Sequence, residues 1–239
     1  MGFGVIGAGR CNLHLQQRGG SCSGWTFFKS PNNAKPCPLV AIAKRHSVNL
    51  QAMAIWQFHI YLIPQKSLLN KYGQIPTQLV MDTDGWSNYF QNSSLDTEPE
   101  FEDALTIHWW LDLNINLDSL MPLLMTFGDI QSWTQNADGL RSFGDTDTND
   151  ISVCFDNTIK IIQEVSCRLD LRQLDKSFIN KVLSLATQFE CLFMDRQGRL
   201  YLPSIEALFD TIKLSNANRF VGDPEQFLND LSKGIVTPE

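Results

Sequence analysis

The sequence predicts an α+β fold, built on a mainly antiparallel sheet, with helices concentrated in the C-terminal third. Three observations support this class. Apolar and polar residues alternate in several stretches between residues 55 and 171, and apolar residues recur at helical spacing after residue 175. The links between the predicted strands have hairpin lengths rather than the longer crossovers that a parallel sheet requires.

A change in charge marks a boundary near Met53. Residues 1–52 contain six Lys or Arg and no Asp or Glu, so residues 53–239 carry all 26 acidic side chains and a net charge of −13. The first 52 residues also show no sustained periodicity. We therefore expect a non-domain N-terminal extension over 1–52, either disordered or translated from a start assigned too far upstream. A single acidic α+β domain is expected over 53–239.

The first elements of this domain are predicted from alternation and from turn residues. Residues 55–63 alternate as a strand that Pro64 ends, and Gly73 closes a short helix over 65–72. Residues 82–100 are polar and rich in turn formers, which indicates a long loop. Residues 104–115 alternate again and predict another strand. Asp118 is the predicted cap of a helix that runs to residue 127.

The second half should contain further strands of the antiparallel sheet and most helices. Residues 151–155 and 159–171 are predicted strands joined by a tight turn, and the second of them has the clearest half-buried alternation in the chain. Asp175 caps a predicted helix, after which residues 191–202 form a hairpin around Gly198. Ser204 starts another helix. Asp223 as cap and Pro224 at the first position give the last helix the strongest start signal, and Gln226 is expected to complete a capping box by reaching back to the Asp223 N–H.

One loop imitates a calcium-binding sequence. Asp145, Asp147 and Asn149 place oxygen atoms at alternate positions, and Asp156 is twelfth in the run. Asp150 occupies the sixth position, where the sharp turn of a calcium loop needs glycine, and a strand rather than a helix follows. We therefore interpret these residues as a solvated hairpin loop and expect no bound metal.

Two further groups could contact a partner. Glu164, Arg168 and Asp170 share one face of a predicted strand, as an exposed ion-pair ladder or as a recognition surface. Alternation places the rings of Trp109 and Trp110 on opposite faces of another strand. Both rings can be buried only if the sheet is covered on both sides. One ring at a binding surface is one interpretation, and ordinary packing is the alternative.

No cofactor is expected. Gly2, Gly4 and Gly7 match a dinucleotide-binding motif, but only Met1 precedes them and no strand can lead into the loop. The chain also lacks G-x-S-x-G, Walker and H-E-x-x-H motifs. No apolar run reaches the length of about 18 residues needed to span a membrane. Without an export signal, the six cysteines are expected to be reduced in a cytoplasmic protein.

From Met53 onwards the chain resembles a family of uncharacterised bacterial proteins that open with a Trp-Gln-Phe strand ending in Leu-x-Pro. The segments that carry the resemblance are Trp56-Gln57-Phe58, Leu62-Ile63-Pro64, Cys-Arg-Leu-Asp-Leu-Arg at 167–172, and Arg219-Phe220-Val221-x-Asp223-Pro224. The resemblance implies no established activity. Small acidic proteins of this kind are similar to immunity proteins that mask a toxin.

Two functions follow as hypotheses. The first is a non-enzymatic binding module, because a charge of −13 favours a basic protein partner and disfavours nucleic acid and anionic membranes. The alternative is a metal-dependent hydrolase that uses clustered acidic residues, namely Asp82 and Asp84, or Glu98, Glu100, Glu102 and Asp103. A binding surface needs a broad acidic patch, whereas an active site needs two or three acids converging in a cleft.

Overall fold

The computed structural model describes residues 25–26, 42–43, 55–92 and 99–236, with side chains described over 55–89 and 99–236. Two short strands, β1 (Trp25–Thr26) and β2 (Ile42–Ala43), pair with each other and form a sheet separate from the main one. Most of residues 1–52 lie outside the described ranges. The expectation that they form an extension outside the fold therefore stays a prediction.

Six strands form the main sheet, and every neighbouring pair in it is antiparallel. They are β3 (Gln57–Pro64), β4 (Leu140–Gly144), β5 (Asp150–Phe155), β6 (Ile162–Asp170), β7 (Cys191–Met194) and β8 (Leu200–Tyr201). Their spatial order is β4-β5-β6-β3-β7-β8. The first strand of the domain therefore lies inside the sheet, between β6 and β7.

Seven α-helices accompany the sheet in the part of the chain that the structure describes. They are α1 (Gln65–Tyr72), α2 (Thr83–Asn92), α3 (Leu117–Leu124), α4 (Lys176–Gln188), α5 (Ile205–Lys213), α6 (Asn216–Gly222) and α7 (Pro224–Ser232). Short 3-10 helices cover Leu111–Leu113 and Met125–Phe127. The predicted α+β class, the antiparallel sheet and the C-terminal concentration of helices are confirmed.

Local signals determine where several helices begin and end. Gly73 ends α1 with a φ of 71°, and its N–H donates to Leu69 O. The carboxylate of Asp175 accepts hydrogen bonds from the first turn of α4, and that of Asp223 does the same for α7. Each of these caps satisfies backbone N–H groups that have no partner within the helix.

One face of the sheet is apolar and forms the main core together with the helices. Phe58, Ile60 and Leu62 of β3 lie on this face beside the odd-numbered residues of β6. The Trp110 indole extends this packing, because its ring centroid lies 5.4 Å from that of Phe189 and its Nε1–H donates to Leu62 O at 2.7 Å. Burying each such side chain contributes roughly 1.5–3 kcal/mol.

The prediction of a long loop over residues 82–100 is wrong, because α2 occupies the first half of that range. The indole N–H of Trp86 donates to the buried Asp103 carboxylate, and its ring meets Phe101 edge-on at a centroid distance of 5.0 Å. These tertiary contacts stabilise a helix whose composition of Thr, Asp, Gly, Ser and Asn favours turns.

The prediction of a strand over residues 104–115 is also wrong. The segment forms turns and a 3-10 helix that cross the edge of the core. Trp110 N–H donates to Gln163 O, and Trp109 Nε1–H donates to Ala104 O. Turns bury both tryptophans in this segment. Its alternation of apolar residues resembles that of a strand, so the periodicity of the sequence alone cannot distinguish the two structures.

The helix predicted to be capped by Asp118 is capped two residues earlier in the chain. Asn116 is the cap, and its side-chain oxygen accepts a hydrogen bond from Asp118 N at 2.9 Å. Asn and Asp are nearly equivalent caps, so the neighbouring Asn residue competes directly with the aspartate.

Candidate functional site

The opposite face of the sheet carries an unusual concentration of polar side chains, called here the polar face. Strand register places His59 opposite Arg168, Gln57 opposite Asp170, and Arg168 opposite Asp150. The members of the polar face are Gln57, His59, Tyr61, Ser142, Asp150, Ser152, Glu164, Ser166, Arg168 and Asp170. Most of them are buried. The prediction that only one face of β6 is buried is therefore wrong, because its polar face is buried as well as its apolar face.

An ion pair between Arg168 and Asp150 organises the centre of the polar face. Arg168 donates from Nε to Asp150 Oδ1 at 2.7 Å and from Nη2 to Oδ2 at 2.5 Å. The Asp150 side chain is only 1% exposed, and Ser142 Oγ donates to it at 3.0 Å. This two-pronged geometry satisfies a carboxylate that could not remain charged and buried without a partner.

The loop that resembles a calcium-binding sequence is fastened to this face. Gln57 donates from Nε2 to Thr146 O at 3.0 Å and to Thr148 O at 2.8 Å. The side-chain oxygen of Asn149 accepts from Asp170 N at 2.9 Å. The structure therefore brings together two groups that were predicted separately, the 145–150 loop and the Glu164, Arg168 and Asp170 face.

Arg172 closes this arrangement at the surface. Its guanidinium lies 4.3 Å from the centroid of the Trp56 ring, donates to Asp147 O at 2.9 Å and pairs with Asp170 at 2.7 Å. Burial alone would raise the pKa of Asp170, but the hydrogen bonds and the charge of Arg172 hold that pKa below its usual value. Asp170 is therefore a fixed anion that positions Arg172.

His59 lies beside two cations on the same face. Nη2 of Arg196, which comes from the turn between β7 and β8, is 3.3 Å from each ring nitrogen of His59. Burial lowers the pKa of His59 well below its ordinary value, and the charges of Arg196 and Arg168 lower it further. Burial likewise raises the pKa of the neighbouring Tyr61 to about 12. Both rings are therefore neutral near pH 7.

A groove runs along the outer side of the 145–150 loop, and we call it the acidic groove. It has a volume of about 510 Å³ and lies between the 127–132 segment, the loop and the start of α4. Asp129, Asp145 and Asp175 are exposed in its lining, and among the described residues no Lys or Arg side chain contributes to that lining. Phe127 and Phe178, which pack edge-on at 5.3 Å, form its apolar floor.

The tryptophans predicted to border a binding surface lie in the core instead. Trp109 is 3% exposed and Trp110 is fully buried. Both indole N–H groups donate to backbone carbonyls inside the protein. The prediction that one ring faces outwards is wrong, because the segment turns instead of running straight as a strand.

The interpretation of Glu164, Arg168 and Asp170 as an exposed ladder is also wrong. Glu164 and Asp170 are buried, and the side chain of Arg168 is only 14% exposed. Their shared face, by contrast, matches the observed register. Their role as partner-binding residues stays a prediction, and in this structure Arg168 and Asp170 bond to Asp150 and Asn149 at the end of the neighbouring loop.

The weak metal candidates do not all converge. Asp145 accepts a hydrogen bond from Asp147 N, and Asn149 is engaged with β6. Asp156 lies beyond the far end of β5, where its carboxylate accepts from Thr158 N and Ile159 N. Six strand residues separate it from the loop by on the order of 20 Å. Among the described residues, no group of three or more His, Cys, Asp or Glu side chains could hold a metal ion.

The acidic cluster considered for a hydrolase serves the fold where the structure describes it. Asp103 is 2% exposed and accepts hydrogen bonds from Asp82 N, Leu105 N and the indole of Trp86. Glu102 pairs with Lys71 at the surface. Glu98 lies outside the described residues.

The sequence did not assign Arg196, Asp129 or Asp175 to the candidate site, and each of them joins it only through topology. Arg196 belongs to a hairpin turn that reaches β3 because β7 pairs with that strand. Asp129 lies near the loop because Gly144 N–H donates to Asp129 O. Asp175 was recognised as a cap, and the start of α4 lies at the groove. The predicted hairpin over 191–202 was the one signal that could have drawn attention to Arg196.

No protein-family model, curated protein or solved structure matches this chain. None of the described helices has the length and apolar character required to cross a membrane.

Proposed function

We propose that this protein is a non-enzymatic cytoplasmic binding protein that engages a basic protein partner, in the manner of an immunity protein that masks a toxin. The charge of the exposed side chains carries this proposal. Of the side chains that the structure describes as exposed, fourteen are Asp or Glu and seven are Lys or Arg. Such a surface attracts a basic protein over long distances and repels nucleic acid.

The acidic groove is where we expect that partner to bind. Three carboxylates on its rim can pair with Lys or Arg side chains, and the two Phe rings below can contact the aliphatic stems of those side chains. One of these carboxylates, that of Asp145, belongs to the loop that Gln57 and Asp170 hold in place. A loop fixed in advance loses little conformational freedom on binding, which favours affinity.

Charge reversal in the groove tests this function. We would compare the full chain with an Asp129→Lys/Asp145→Lys variant. The control is Glu206→Lys/Asp210→Lys, which changes the net charge equally at exposed positions of α5. Asp175 is left intact because it caps α4. Each purified protein is used to capture binding proteins from the cells that produce it, and each captured protein is then purified and titrated by calorimetry.

The expected result is a basic protein that binds the original chain and the control, and that binds the groove variant at least about tenfold more weakly. Its affinity should fall as the salt concentration rises. Capture of no protein, capture of an acidic one, or equal binding by all three chains would contradict the proposal. Hydrolysis of a substrate by the metal-supplemented chain would favour the alternative hydrolase function.

A further inference from the structure

Residues 128–132 run beside β4 at one side of the main sheet, and we call them the outer strip. Gly144 N donates to Asp129 O at 3.2 Å. Gln131 N donates to Ser142 O at 2.8 Å, so the strip is antiparallel to β4. In such a pairing the N–H and C=O groups of alternate residues point away from the neighbouring strand. The free edge of the sheet on this side therefore belongs to the outer strip and not to β4.

The backbone groups on this free edge are unpaired. Within the described part of the chain, no hydrogen bond reaches the C=O of Gly128, either backbone group of Ile130, or the N–H of Ser132. Ser132 is exposed, and the other two residues are partly exposed. An accessible row of unpaired donors and acceptors is the feature to which an extended peptide adds as a further strand.

The opposite side of the sheet is less suited to such an addition. Residues 76–80 run beside β8 there. Pro76 has no N–H to donate to an added strand, and Val80 O already accepts a hydrogen bond from Ala104 N. Proline is one of the devices that keep a sheet edge from pairing with other chains. Strand addition is therefore expected at the outer strip.

The outer strip also borders the acidic groove. All five of its residues line the groove, together with Asp145 and Asp175. Successive side chains of a strand point to opposite faces, so one alternate set of side chains on an added strand lies near the carboxylates of the groove. Lys or Arg at those positions can pair with Asp129, Asp145 and Asp175. Charge complementarity therefore selects a basic segment as the occupant.

We propose that the partner binds by strand addition, in which an extended basic segment pairs with the outer strip and places alternate Lys or Arg side chains in the acidic groove. This inference rests on the proposed function, because it assumes the same groove and a basic partner. Backbone pairing fixes the register of the added segment, and the carboxylates provide the preference for basic side chains. At about 3.3 Å per residue, a segment of about five residues spans the strip.

A synthetic peptide of about eight residues, in which Lys and Thr alternate and both ends are blocked, is the probe. Two further peptides carry N-methyl groups, one on every Lys amide and the other on every Thr amide. Both keep the charge, but each lacks the N–H donors of one edge. Calorimetric titration into the full chain should show that one methylated peptide binds at least about tenfold more weakly than the unmodified peptide, whereas the other keeps its affinity. Only one edge of an added strand faces the protein.

A pair of variants tests the same contact from the side of the protein. Ser132→Pro and Ser132→Ala both remove the hydroxyl group, but only proline removes the outward N–H. Ser132 is the second residue of a turn closed by the hydrogen bond from Thr134 N to Gln131 O, a position that favours proline. Ser132→Ala should bind the unmodified peptide as the original chain does. Ser132→Pro should bind it at least about tenfold more weakly.

The outcomes separate this inference from the proposed function. Equal affinity for all three peptides, equal binding by Ser132→Pro and Ser132→Ala, or no binding of the unmodified peptide would overturn strand addition. If binding ignores methylation but is lost in Asp129→Lys/Asp145→Lys, the groove recognises charge alone, and the proposed function stands without strand addition. Binding that depends on methylation but survives that double substitution would overturn the proposed groove and this inference with it.

Discussion

Arg168 illustrates at the scale of one residue how this sheet accommodates charge. Its strand partner Asp150 is almost completely buried. Ser142 and Gln57 form hydrogen bonds with the pair, and Ser152 donates to Ser142. A buried ion pair of this kind contributes little to stability compared with an apolar pair of equal volume. Removal of one partner, however, leaves the other charge buried and without compensation. The polar face should therefore tolerate single substitutions poorly.

We predict that Arg168→Met lowers the free energy of unfolding by roughly 3–5 kcal/mol, because Asp150 loses the partner that compensates its burial. Urea denaturation at neutral pH measures this. Lys213→Met is the matched control, since the Lys213 and Asp210 side chains are 70% and 74% exposed and pair only at the surface. If both substitutions change stability equally little, Arg168 does not hold the polar face together.

A second residue-scale prediction concerns the groove rim. Gln57→Ala removes two hydrogen bonds that fasten Thr146 and Thr148 to β3, so we expect a loss of about 1–3 kcal/mol. Hydrogen exchange at 145–149 should accelerate. Gln78→Ala serves as the comparison, because that exposed side chain makes one bond, to Gln197 O. Equal exchange in both variants would show that Gln57 does not fix the loop.

At the scale of elements, the described structure separates what sequence can predict from what it cannot. Helices with a local start signal, such as α4 after Asp175 and α7 after Asp223, were predictable because the cap and the helix are neighbours in the chain. The bounds of α1 matched the prediction for the same reason, since Gly73 ends it. Alternation likewise located β3, β5 and β6.

Elements that depend on distant contacts were not predictable. Helix α2 is stabilised by the contact between Trp86 and Asp103, and residues 104–113 turn because Trp110 joins the core beneath β3 and β6. The candidate site divides in the same way. The shared face of Glu164, Arg168 and Asp170 follows from strand periodicity, whereas the approach of Arg196 and Asp129 follows from the order of strands in the sheet.

The last helix offers a prediction about one element. Asp223→Ala should cost about 1 kcal/mol, because Gln226 N then loses the carboxylate that caps it at 3.0 Å. Phe227→Ala should cost roughly 3–5 kcal/mol, because its ring is 1% exposed and packs edge-on against Phe220. Denaturant melts measure both. Leu228→Ala, at a side chain 41% exposed, is the control. A neutral Phe227→Ala would mean that α7 is not docked on the protein.

The expected capping box was only half correct. Gln226 was predicted to reach back to the Asp223 N–H, but its Nε2 instead donates to Asp230 Oδ1 at 2.7 Å, and Asp223 N–H donates to Arg219 O. Helix α6 ends directly before α7, so its last turn already supplies an acceptor. Arg219 pairs with Asp230 as well, which ties the two helices together.

At the scale of the whole molecule, charge and architecture coincide. The 26 acidic side chains all follow residue 52, and the six-stranded sheet begins at Gln57. Buried acids such as Asp103, Asp150 and Asp195 accept hydrogen bonds within the fold, whereas the exposed ones give the surface its negative character. The same residue type therefore serves two purposes, and burial separates them.

The boundary itself is testable, since residues 53–239 should fold without the preceding segment. Strands β1 and β2 pair with each other and not with the main sheet, while Leu171 N donates to Trp56 O and completes the start of β3 from within the domain. A chain beginning at Met53 should therefore remain soluble and melt within about 2–4 °C of the full chain, the shift that corresponds to about 1 kcal/mol at this size. Differential scanning calorimetry of both chains is the measurement.

A second truncation beginning at Phe58 is the contrast, because it also removes Trp56 and Gln57, which engage Arg172 and the 145–150 loop. That chain should melt clearly lower. Insolubility of the Met53 chain, or a loss as large as that of the shorter one, would show that residues 1–52 belong to the folded domain.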